Sequence, residues 1–175
     1  IEPKTKVGLV GYSGSGKSTF INLLMRFFDI KDGNGAIQID GQDIRNVKQE
    51  SLRQGISYIP QDPILFHRTI KENILYGKLD ATDEEVINAA KIANAHEFIS
   101  MLPNGYDTML TQNGSQLSQG QRQLLAIARC AINDLPVMIL DEATSSIDTR
   151  IAYSHFLFFL SLSSLAKKSS FLCFV

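Results

Sequence analysis

Two groups of residues in this chain have the types and spacing to handle a phosphate chain. The first is Gly11-Tyr12-Ser13-Gly14-Ser15-Gly16-Lys17-Ser18, a full G-x-x-x-x-G-K-S pattern. Glycines at these positions let backbone N–H groups curl around a phosphate, and a following helix adds the positive end of its dipole. The expected cradle comprises Gly11, Ser13, Gly14, Ser15, Gly16, Lys17, Ser18 and Thr19. Lys17 is placed to reach the β- and γ-phosphates, and the Ser18 hydroxyl to ligate Mg²⁺, an ion that takes few protein ligands when it travels with a nucleotide. The second group is the adjacent pair Asp141-Glu142. Asp141 is expected to hold the magnesium, directly or through water. Glu142 is expected to polarise the attacking water, which needs a carboxylate on the γ-phosphate side.

The flanking sequence supplies elements that can position both groups. Residues 6–10 read as a buried strand and residues 19–28 as a helix, so the glycine loop sits between strand and helix as phosphate binding requires. That helix is apolar on nearly every side, through Phe20, Ile21, Leu23, Leu24, Met25, Phe27 and Phe28, and is expected to be buried. Residues 137–140, Val-Met-Ile-Leu, form a short continuous apolar run, the pattern of a central parallel strand covered on both faces. Asp141 and Glu142 then cap its C-terminal end, where open α/β sheets bind ligands. Ser118 and Gly120 stand at the head of a breaker-free helical stretch, residues 122–131. That arrangement suits an anion site or an ordinary helix cap. A phosphate loop alone leaves kinases, GTPases, motor ATPases and recombinases open.

The segment Leu117-Ser118-Gln119-Gly120-Gln121 resembles the LSGGQ signature of ATP-binding cassette proteins, with Gln119 in place of the middle glycine. Residues 58–66, Tyr-Ile-Pro-Gln-Asp-Pro-Ile-Leu-Phe, are similar to the segment that carries the family's Q-loop glutamine. By that resemblance Gln61 takes part in catalysis, joins the metal site and links it to the transporter. Ser145-Ser146-Ile147-Asp148 resembles the D-loop, with Asp148 as the matching acid. Residues 69–77 and 111–114 look like those of exporter-type cassettes. The resemblance covers residues 1–150 and implies an α/β fold: a P-loop NTPase core with a mostly parallel sheet, a partial β-subdomain, and a helical subdomain over about 62–134 that carries the signature. Residues 36–40, followed by Gly41, look like a strand and turn of the β-subdomain. The family uses ATP and Mg²⁺ and pairs two cassettes head to tail, so Ser118 and Gly120 are expected to contact a nucleotide held by the partner. A transmembrane domain, fused or separate, is the other expected partner, which puts the chain at the cytoplasmic face of a membrane.

The resemblance stops after Arg150. Residues 151–175 contain no Asp, Glu, Gly, Pro, Asn or Gln, and hold five of the ten Phe. This shift reads as an out-of-frame or otherwise disrupted end, or as a divergent helix packed on the core. On the first reading the sheet loses its last strands and the site its switch histidine. His155 comes too soon after Asp148 for that role. The start, without an initiator Met, reads as cut from a longer chain and lacks the upstream aromatic that stacks on adenine in the family; Tyr12 is not taken for it.

Bulk properties narrow the field. At 175 residues and 44% hydrophobic, the chain suits one domain with a real core. A net charge of -1 argues against a nucleic-acid partner. The longest apolar tract, residues 156–166, is too short for a membrane span, which needs ~20 residues. Cys130 and Cys173 have no ligand or redox spacing, and His67 and His96 have no metal-ligand neighbours. Two other readings compete with an exporter motor: a soluble cassette protein of translation or DNA repair, and an inactive fragment. The compact interval between phosphate loop and signature, with no coiled-coil insertion, argues against the repair type.

Overall fold

The computed structural model describes residues 5–12, 14–133 and 135–141, together with the backbone of 170–174. Four strands, β1 (Lys6–Leu9), β4 (Ile56–Ile59), β5 (Val137–Leu140) and β6 (Ser170–Phe174), form one sheet in the order β1-β6-β5-β4. All three pairings are parallel. The register aligns Leu9 with Phe174, Cys173 with Leu140, and Leu140 with Ile59, so the strands finish at a common edge.

Strand alternation divides the core between two faces. On one face Ile56 and Ile139 pack with Ile21 and Met25 of α1 (Lys17–Leu24 and its cap), with Ile44, and with Leu52 of α2 (Gln49–Gln54). On the other face Ile59, Met138 and Leu140 pack against α3 (Ile70–Leu75), α4 (Asp83–Ile92), α5 (His96–Met101) and α6 (Gln119–Ala131). Each fully buried Ile or Leu there contributes about 1.5–3 kcal/mol of transfer free energy.

Three helices of the second face, α3, α4 and α6, start on explicit signals. Thr69 with Glu72, Thr82 with Glu85, and Ser118 with Gln121 each form a capping box, in which the cap side chain takes the third-residue N–H and that residue's side chain takes the cap N–H. Glu85 of the acidic first turn of α4 thereby belongs to its cap. A small hairpin joins β2 (Gln38–Ile39) to β3 (Gln42–Asp43) through Asp40 and Gly41, both at positive φ, the conformation of tight two-residue hairpin turns.

One expectation is corrected. The helix after the glycine loop is shorter and less buried than its apolar sequence predicts. It ends at Leu24 because Arg26 adopts a left-handed conformation and anchors there by donating to the carbonyls of Ile44 and Val47. Phe27 and Phe28 fall beyond that stop and are 49% and 65% exposed, with the Arg53 guanidinium over the Phe27 ring. The sheet also includes a strand from the tail. The backbone of Ser170–Phe174 runs between β1 and β5, a position that an apolar, β-favouring run such as Phe-Leu-Cys-Phe suits. Residues 151–169, with His155, lie outside the described residues.

Candidate functional site

The glycine loop leaves β1 at the common strand edge and enters α1 through Gly16, the helix cap, at φ 92°. Gly14 is also left-handed, at φ 82°, so two of the three motif glycines hold conformations that side chains resist. Gly11 is needed for space instead: a Cβ there would stand 2.6 Å from the Ser15 Oγ. Ser15 N–H donates to the Tyr12 carbonyl and Phe20 N–H to the Gly16 carbonyl, which fixes the curl. Lys17 folds back so that its Nζ donates to the Gly11 carbonyl. Around this loop lies an open cleft of about 180 Å³ lined by Tyr12, Gly14, Ser15, Gly16, Lys17, Ser18 and Thr19. Helix N-terminus, ammonium group and hydroxyls all face an anion-sized space, which fits a phosphate chain. Ser13 lies outside the described residues, and Tyr12, 93% exposed, stands at the cleft's rim.

Asp141 continues β5 by one residue, its N–H donating to the Ile59 carbonyl at 3.0 Å. By alternation it shares the face of Ile139, the face on which α1 lies. Its carboxylate is therefore delivered to the side of the sheet that carries the phosphate loop. The Tyr58 hydroxyl donates to Asp141 Oδ2 at 3.1 Å. Burial, and then the neighbouring Asp141 charge, push the Tyr58 phenol up to about 12, so it remains a donor at neutral pH. The sequence alone assigns Tyr58 no role. What reveals it is the strand register, which sets Tyr58 on β4 opposite Ile139 and diagonal to Asp141.

Gln61 follows β4 at the same edge with an exposed side chain. Its carbonyl accepts from the Nε2 of Gln123, a fully buried amide of α6. The edge thus gathers the glycine loop, Asp141 and Gln61 from β1, β5 and β4. An aspartate, a serine hydroxyl and a glutamine amide are hard oxygen donors suited to magnesium. Among the described residues no group of three or more His, Cys, Asp or Glu could hold a metal by itself. Glu142 and the D-loop residues through Asp148 lie outside the described residues.

Ser118 and Gly120 do not line the loop's cleft. Ser118 is exposed at the head of α6 and spends its hydroxyl oxygen on the Gln121 N–H at 3.2 Å. Further along α6 lies a cluster that the sequence does not announce. Arg129 donates to the Ile64 and Asn73 carbonyls and to Asn73 Oδ1, with Phe66 and Tyr76 against its guanidinium. Beside it, burial pushes the Cys130 thiol up to about 11, which leaves it a packing residue. His96 is satisfied by Tyr106, its Nδ1 lying 2.9 Å from the Tyr106 hydroxyl.

Residues 1–145 match the ABC transporter family model. The chain is 56% identical over 143 residues to YfiC, an uncharacterized ABC transporter ATP-binding protein of Bacillus subtilis, covering 82% of this chain and 23% of that one. It is 54% identical over 148 residues to a putative multidrug export ATP-binding/permease protein of Staphylococcus aureus, covering 85% and 25%. Among solved structures, a bacterial Atm1-family ABC exporter with ATP bound superposes with TM-score 0.90 at 40% identity, over 100% of this chain and 30% of that one. The chain thus spans about a quarter of the length of the curated relatives it matches.

Proposed function

The chain belongs to the ABC transporter family, and from that premise we propose that it is the ATP-binding and ATP-hydrolysing unit of an exporter, driven by head-to-tail pairing of two such units. The observation that carries this reading is the common strand edge, where the glycine loop, Asp141 and Gln61 converge from three parallel strands. Relatives that join ATP-binding and permease functions in one protein support the exporter assignment. No helix among the described residues is long and apolar enough to cross a membrane. In this reading the transmembrane partner is a domain fused to this one or a separate subunit, with this domain at the cytoplasmic face of the membrane.

In this mechanism the loop backbone from Gly11 to Thr19 holds the phosphates, and Lys17 exchanges its Gly11 carbonyl for β- and γ-phosphate oxygens. Ser18, Asp141 and Gln61 would hold Mg²⁺, which would supply charge neutralisation for the transferring phosphoryl group. Glu142 orients the attacking water as general base. The site is completed across the pair: Ser118 and Gly120 of one unit close over the nucleotide on the partner subunit's Lys17. Ser118 is suited to that task because it is exposed at the N-terminus of α6, where the positive end of the helix dipole lies. Phosphoryl transfer depends mainly on such electrostatic positioning. The test is Glu142→Gln, expected to retain Mg-ATP binding and to abolish turnover. Full ATPase activity in that variant would remove the general-base assignment.

A further inference from the structure

We infer that Tyr58 is a positioning residue for the metal-holding carboxylate of Asp141. The inference rests on the proposed role of Asp141 and adds a residue to it. Asp141 is bound to β4 twice: its N–H donates to the Ile59 carbonyl at 3.0 Å, and its Oδ2 accepts from the Tyr58 hydroxyl at 3.1 Å. One contact fixes the backbone. The other restrains the orientation of the carboxylate and leaves the second oxygen out of that bond. Tyr58 can do this because β4 and β5 are in parallel register, Tyr58 opposite Ile139 and Ile59 opposite Leu140. Its side chain and that of Asp141 therefore emerge on the same face, two positions apart along β5.

Packing alone does not account for a tyrosine here. The ring lies against the core shared with Ile21, Ile56 and Ile139, which a phenylalanine would serve equally. The hydroxyl, held at a carboxylate oxygen, is the added feature. A carboxylate that must meet a small octahedral ion gains from being held in one orientation beforehand, and loss of such an outer partner typically lowers metal affinity about 10- to 100-fold.

The experiment titrates Mg²⁺ at fixed ATP against the full chain, reading nucleotide-dependent thermal stabilisation, with turnover measured in parallel. Y58F is expected to raise the half-saturating Mg²⁺ about tenfold. Binding of ATP in EDTA should be unchanged, and turnover at saturating Mg²⁺ should approach wild type. Y58L should give the same Mg²⁺ shift as Y58F. In a D141N background, itself strongly impaired in Mg²⁺ dependence, Y58F should add nothing. The inference is overturned if Y58F leaves the Mg²⁺ dependence unchanged while D141N raises it, or if Y58L shifts it and Y58F does not, since the ring alone would then matter. If D141N has no effect on the Mg²⁺ dependence, the metal-site reading fails, and this inference with it.

Discussion

The side-chain amide of Gln123 donates to the backbone carbonyl of Gln61 across 3.3 Å and ties the helix headed by Ser118 to the loop that ends β4. Two further contacts flank it. Arg122 lies 3.9 Å from the Asp62 carboxylate, and Arg129 donates to the Ile64 carbonyl at 3.0 Å. The Gln61 loop therefore rides on α6. Gln123 is fully buried, and its Oε1 has no hydrogen-bond partner among the described residues. Leucine removes that unmet acceptor while filling similar space, whereas alanine leaves a void. Urea unfolding should show Gln123→Leu within about 1 kcal/mol of wild type and Gln123→Ala about 2–3 kcal/mol below it. In both variants amide exchange at Gln61 and Asp62 should quicken.

Gly77 and Gly105 separate crowding from backbone strain. A Cβ on Gly77 would overlap the Arg129 carbonyl oxygen and stand 2.8 Å from the Ile132 Cγ2, so α3 could not keep its place against α6. Gly105, at φ +49°, has nothing within 4 Å of the point where a Cβ would stand. Gly77→Ala should cost about 3 kcal/mol or more by overpacking, and Gly105→Ala about 1 kcal/mol of conformational strain. Paired thermal and urea denaturation checks the order.

The start of α4 gives the fold an acid-sensitive element. Lys78 and then the Thr82 N–H hold the Glu85 carboxyl below its ordinary value of 4.5. Because the folded value is the depressed one, this contribution is fully present above the unfolded value and is lost as pH falls through the folded one. Wild type should therefore lose stability below about pH 4.5 more steeply than Glu85→Gln, whose glutamine keeps a cap acceptor without the titration. Thermal midpoints from pH 6 to 3 measure the difference; parallel curves would remove the assignment.

Much of the fold and site is legible in the sequence, for physical reasons. The phosphate loop declares itself because Gly14 and Gly16 are needed for left-handed backbone and Gly11 for space, requirements that few other residues meet. Asp141 is legible because an apolar run ending in an acid is a strand delivering a charge to the sheet edge. Tyr58, Gln123 and Arg129 are not, since each acts on a residue 56 to 83 positions away, and only the strand register and the packing of α6 bring such partners together. The end of α1 is hidden because Phe27 and Phe28 extend its apolar pattern, while a single left-handed residue, Arg26, stops the helix. The strand at Ser170–Phe174 is hidden because composition separates the tail from the rest, whereas pairing between β1 and β5 needs only a short apolar run.

The most direct test of the central claim is nucleotide-dependent thermal stabilisation of the chain with and without Lys17. A ligand held only by the folded state, at about 100 times its dissociation constant, adds about 2.7 kcal/mol, or roughly 5–10 °C for a chain of this size. Wild type with millimolar Mg-ATP should show a shift of that order, and Lys17→Ala almost none, with the two unliganded midpoints alike. A wild-type chain that does not respond to Mg-ATP, or a Lys17→Ala variant stabilised as much as wild type, would contradict the account.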